Sequence, residues 1–171
     1  MIDHALRVAA VTSQFDEAMV RFQSRLSEAA AQAPRVPAEG AWTIAQVAWH
    51  VGAVNDAFAK VIDGTFPVAQ QPAADFVERE WEAIRSAIPE KLQAPSRVHP
   101  PDEVTLPEAV AKLSATGARL TAALRELSAE RARFTYESML GRISLYQVGE
   151  WATAHVIRHN KQVKRLLSEQ R

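Results

Sequence analysis

"WTIAQVAWHVGAVNDAFAKV", residues 42–61, carries the signals of one helix from its cap to its last turn. Thr43 is a capping residue, and Gln46, three positions on, completes a capping box. Trp42, directly before the cap, can fold onto Val47 as a hydrophobic staple. Val47, Val51, Val54, Phe58 and Val61 then repeat at steps of 4, 3, 4 and 3 residues, the spacing of a seam between packed helices. Gly64 and Pro67 close the segment. Such a seam is buried only if other helices cover it, so this stretch decides the fold class.

Working outward, a first helix is expected from about Asp3 to Ala33, with Leu6, Phe15, Met19, Phe22 and Leu26 as its apolar stripe. Pro34, Pro37 and Gly40 stop it. Downstream, "PAADFVEREWEAIRSAI", residues 72–88, can hold a helix of three or four turns. Pro89, Pro95, Pro100 and Pro101 then keep the chain extended. A third long helix opens on a second capping box, Thr105 with Glu108, and tolerates Pro107 in its first turn. It runs to about Leu127 through Val110, Leu113, Leu120 and Leu124. The last opens at Ser144, with Gln147 as box partner, and reaches about Leu167. No segment alternates convincingly with period two. The expectation is an all-α chain: a four-helix bundle with an extra helix in the crossover between the second and third long helices, forming one domain over residues 1–171.

Composition narrows the function. Twenty Lys and Arg balance twenty Asp and Glu, so the basic excess of a nucleic-acid-binding domain is missing, and no nucleic acid is expected as a partner. There is no cysteine, which excludes disulfides, thiolate metal ligands and a cysteine nucleophile. Asp3, His4, Arg7, Gln14 and Asp16 interrupt the apolar residues of the N-terminus, and nothing approaches the ~20 apolar residues of a membrane span. A cytoplasmic protein without membrane contact is the simplest expectation.

The five histidines are where chemistry can reside. On the last helix Val148, Ala152, His155, His159 and Leu166 step by 4, 3, 4 and 7, which sets both histidines on the inward stripe. Residues four apart differ by about 40° of rotation and about 6 Å of rise, so two such imidazoles can share one metal ion. His50, three residues after Val47 and four before Val54, lies at the edge of the second helix's seam and is the third candidate. His99, in "RVHPPDEV", is expected in a loop and His4 at the surface. No Glu stands three residues before any histidine and there is no His-Glu-x-x-His, which argues against ferritin-like di-iron and metalloprotease sites. Asp56 and Glu150, the nearest acidic residues, point about 120° and 140° away from His50 and His155 around their helices.

"WTIAQVAWHV" followed about a hundred residues later by "GRISLYQVGEWATAHVIRHNKQV" closely resembles the DinB/YfiT-like superfamily. The resemblance covers most of the chain and is weakest in the middle. It implies a four-helix bundle in which His50, His155 and His159 bind a divalent metal. Trp42-Thr43, Arg158-His159 and Gln162 match the flanking pattern. Characterised members include S-transferases that use a low-molecular-weight thiol such as bacillithiol or mycothiol, and a thiol-dependent isomerase. Homodimers are common among them, and a homodimer is expected here.

Three neutral imidazoles leave an ion its full charge and an open position, the composition of a catalytic rather than a structural site. Zinc or nickel are the expected metals, with iron and copper also compatible. Such an ion could activate a substrate thiol, or generate metal-bound hydroxide for hydrolysis. The shortage of carboxylates favours the thiol, because many metal hydrolases use a Glu or Asp as general base. The leading expectation is a thiol S-transferase acting on a small-molecule electrophile. The alternatives are a metal-dependent hydrolase and a non-enzymatic bundle with a structural or sensing site. Gln46 and Gln162 can orient an imidazole or a water. Arg158 can meet an anionic group or pair outward, and Trp49 and Trp151 can line a pocket or belong to the core.

Overall fold

The computed structural model describes residues 3–32, 40–89 and 93–168. Four long helices dominate: α1 (His4–Ala30), α2 (Ile44–Asp63), α4 (Leu106–Arg125) and α6 (Leu145–Ser168). Between them lie the short α3 (Trp81–Ser86), a 3-10 turn (Ser96–Val98) and α5 (Ala129–Ala132). Two strands, β1 (Thr135–Ser138) and β2 (Gly141–Ser144), form an antiparallel hairpin. The architecture is mainly α, as the periodicities require. α1 packs on α4 and α6, and α2 packs on the same two helices, so the order around the bundle is α1, α4, α2, α6.

The caps set the boundaries. Thr43 accepts from the Gln46 N–H at 3.1 Å, while the Gln46 side chain accepts from the Thr43 N–H at 2.9 Å. Thr105 with Glu108 and Ser144 with Gln147 repeat this reciprocal pattern at the starts of α4 and α6. α2 ends at Gly64, whose φ of 85° is the left-handed conformation that glycine adopts without a Cβ penalty. All five seam residues of α2 are buried, in one core cluster with Phe15, Phe22, Leu113, Leu120, Val148 and Val156. At Gly52 the backbone of α4 approaches so closely that a Cβ would stand 3.2 Å from the Leu113 backbone.

Several expectations change. Leu6 is 69% exposed rather than part of the α1 stripe. It lies nine residues from Phe15, about two and a half turns, and so on the opposite face. Val11 and Ala18 take the inward places instead. α1 ends at Ala30; the expected end at Ala33 and the stops Pro34 and Pro37 lie outside the described residues, while Gly40, the third stop, is described and has a φ of 76°. The helix expected within residues 72–88 shrinks to six residues, because Ile84 alone in α3 finds a buried place. On α6 the stripe continues through Val163 and Leu167, with Leu166 half-buried.

The hairpin is a further departure. Its strands are four residues each, and the Gln70–Thr135 bridge ties the crossover to it. Among the described residues, no helix is long and apolar enough to cross a membrane.

Candidate metal centre

The capping box of α2 fixes the helix start about two turns before His50, and the box of α6 fixes the helix that carries His155 and His159. Because α2 packs directly on α6, the rings meet. Ring centroids lie 5.0 Å apart for His50 and His155, 4.9 Å for His50 and His159, and 4.4 Å for His155 and His159. The Nε2 atoms point at one another: His155 Nε2 is 3.1 Å from His50 Nε2 and 3.1 Å from His159 Nε2. Only 4% of His50 and 7% of His159 is exposed.

The outer nitrogens decide the tautomers. A carbonyl can only accept, so His50 donates its Nδ1–H to the Val98 carbonyl at 2.8 Å. His159 likewise donates Nδ1–H to the Gln162 side-chain oxygen at 2.8 Å. In neutral rings this leaves both Nε2 atoms as bare acceptors. His155 Nδ1 is buried and, among the described residues, has no hydrogen-bond partner. If His155 carries its proton on Nε2, Nδ1 is an orphaned acceptor. If it carries the proton on Nδ1, three lone pairs converge with no proton between them. The second arrangement is the one a ligand to a shared ion needs, and a cation among the three Nε2 atoms would recover the cost of the converging lone pairs.

Extra protons are not a cheap alternative. Burial pushes the pKa of His159 down to about 4, and the neighbouring His50 adds to the effect. Burial also lowers His50, and holds His155 well below the usual imidazole range with help from His159 and His50. The cluster is therefore neutral at pH 7, the state in which imidazoles ligate metals.

The donor set fits a divalent ion. Nitrogens about 2.0–2.1 Å from a tetrahedral zinc stand about 3.3 Å from each other, close to the spacing of the adjacent pairs. The three imidazoles form a group able to hold a metal ion, and among the described residues no carboxylate joins it. The sequence model of the DinB superfamily matches residues 14–163, which includes all three histidines. The chain belongs to the DinB superfamily. No curated protein and no solved structure matches it. Membership agrees with the helical fold of this DinB-superfamily chain.

The neighbours sort themselves by contact. Gln162 orients His159, as its position allowed. Gln46 does not touch an imidazole: besides capping α2 it donates to the carbonyls of Pro101 and Asp102 at 3.1 and 3.2 Å. Arg158 donates to the Pro89 carbonyl at 2.9 Å. Trp49 is half-buried beneath Lys112, whose ammonium lies 4.7 Å from the ring centroid, and Trp151 packs on Phe58. His4 is bound to the Tyr146 hydroxyl at 2.6 Å. Asp56 pairs with Lys60 and Arg119, and Glu150 lies beside Arg7.

Two contributors carried no readable signal. The Val98 carbonyl is a backbone group, which any residue there would supply. The contact of Trp42 with His50, at 4.9 Å between ring centroids, joins a residue before the helix to one two turns inside it.

Proposed function

We propose that His50, His155 and His159 bind one divalent ion, zinc or nickel, and that the protein is a metal-dependent S-transferase joining a low-molecular-weight thiol to a small electrophile. The observation that carries this reading is the convergence of three Nε2 atoms, two of which already have their Nδ1 protons committed elsewhere. A bound ion would supply Lewis acidity, lowering the pKa of a thiol that reaches it. The chain's own part is to present neutral imidazoles, hold two of them in a fixed tautomer through Val98 and Gln162, and exclude water by burial. No carboxylate stands ready as general base: among the described residues none belongs to the histidine group, and Asp56 and Glu150 face cationic partners elsewhere. Thiol activation needs only the ion's charge, whereas hydrolysis commonly uses such a base.

The test is metal content by mass spectrometry on untagged protein purified without chelator, followed by a screen of thiols against chlorinated aromatics and epoxides. About one ion per chain, lost in His50→Ala and His159→Ala, with turnover only when thiol is present, is expected. Turnover on esters or amides without thiol would replace the transferase by a hydrolase. Failure to take up zinc or nickel on reconstitution would remove the metal reading altogether.

A further inference from the structure

Trp42 sits directly before the N-cap of α2, and its ring does more than cover the first turn. It lies tilted by 50° on the His50 ring, with centroids 4.9 Å apart. On another side it meets His99 edge-on, at 90° and 5.5 Å. His99 follows the 3-10 turn whose last residue, Val98, is 6% exposed and accepts the His50 Nδ1–H. The crossover therefore reaches His50 directly, through the Val98 hydrogen bond, and indirectly, through His99 against the Trp42 ring. Gln46 reinforces the arrangement, since the side chain that closes the α2 capping box also binds the Pro101 and Asp102 carbonyls.

An imidazole on a helix has two soft torsions, and a single hydrogen bond at Nδ1 leaves the ring able to pivot about that bond. A second contact on the ring face removes the pivot. We propose that Trp42 is a positioning residue: with the Val98 carbonyl it clamps the His50 ring so that Nε2 faces His155, and His99 buttresses the clamp from the crossover side. This goes beyond the staple role of an apolar residue before a helix, which would need bulk but no aromatic face. Its metal readout rests on the proposed function, whereas its ring-orientation readout does not.

The experiment compares Trp42→Leu, which keeps apolar bulk, with Trp42→Phe, which keeps an aromatic face. In metal-free protein, long-range proton–nitrogen NMR reports the tautomer of His50. In a Co2+ titration, visible absorption reports affinity and coordination geometry. The wild type is expected to show His50 as the Nδ1–H tautomer. Trp42→Leu should shift it toward a mixture and weaken Co2+ binding about ten- to a hundredfold, the usual effect of losing a group that orients a ligand. Trp42→Phe should restore most of both. A Trp42→Leu protein that melts earlier but keeps the tautomer and the Co2+ affinity would overturn the inference and leave Trp42 a staple. If Trp42→Leu does not fold, His99→Ala decides: the same displacement in smaller measure supports the clamp, and no change in either readout overturns it. A wild type that binds no Co2+ but shows the tautomer shift in Trp42→Leu would remove the metal reading while sustaining the clamp.

Discussion

His159 donates its Nδ1–H to the side-chain oxygen of Gln162, 2.8 Å away and about one turn further along α6. The bond holds the ring with Nε2 directed at His155 and leaves that nitrogen unprotonated. Gln162→Ala removes the acceptor, so the ring can turn and exchange tautomers. Metal affinity is expected to fall about ten- to a hundredfold with little change in melting temperature, measured by competition against a chromogenic chelator. Gln162→Glu, which still accepts, should bind metal far better than Gln162→Ala.

The neutral cluster should make the metal-free protein sensitive to acid. His159 keeps a folded pKa of about 4 against an ordinary value of 6.5, and His50 and His155 are shifted the same way. The unfolded chain therefore binds protons first as the pH falls, and the folded state loses stability between about pH 6.5 and 4. Thermal melts of chelator-treated protein across that window should show the loss. His159→Ala should flatten the slope.

Glu150 predicts the opposite sign. Burial pushes its carboxyl up to about 7, and the nearby Arg7 only partly offsets this. Between its ordinary value of 4.5 and about 7 the folded state holds the extra proton. Its contribution is thus favourable below that range and is lost as the pH rises through 7. Glu150→Gln should raise the melting temperature relative to wild type at pH 8, and the difference should shrink by pH 5.

At Gly52 the helices leave no room. An added Cβ would stand 3.2 Å from both the Cα and the N of Leu113, and backbone in a packed helix cannot swing aside as a side chain can. Gly52→Ala gains up to about 1 kcal/mol of helix propensity. Overpacking costs about 1–3 kcal/mol. Net destabilisation of about 1 kcal/mol is expected in urea unfolding.

The sequence made the helix starts legible because each capping box is a local device: Thr43 and Gln46, Thr105 and Glu108, and Ser144 and Gln147 meet in the structure as their three-residue spacing requires. The histidine group was legible for a related reason, since two of its members share one helical face and the third lies beside an apolar seam. Long-range partners were not. Nothing in the residues 96–98 marks the Val98 carbonyl as the acceptor for His50, 48 positions away. The hairpin escaped because its strands are four residues long and its loop, Met139-Leu140, lacks the Asn-Gly or Asp-Gly pair that announces a tight turn. Its turn glycine comes one place later, at Gly141 with φ of 83°. Leu6 was misplaced because an apolar residue near a helix end fits a stripe by composition while its angle puts it outside.

A chain without cysteine has no covalent tie between distant segments. His50 and His155 are 105 residues apart in sequence, so an ion held by both would close most of the chain into a loop. Cross-links that span about 100 residues are assigned about 4–5 kcal/mol by the chain-entropy account. Unlike a disulfide, this tie would be reversible and governed by metal supply rather than by redox state. Chelation would then turn a cross-linked chain into a linear one, with faster unfolding and easier proteolysis as its outward signs, while the same helices remain in place.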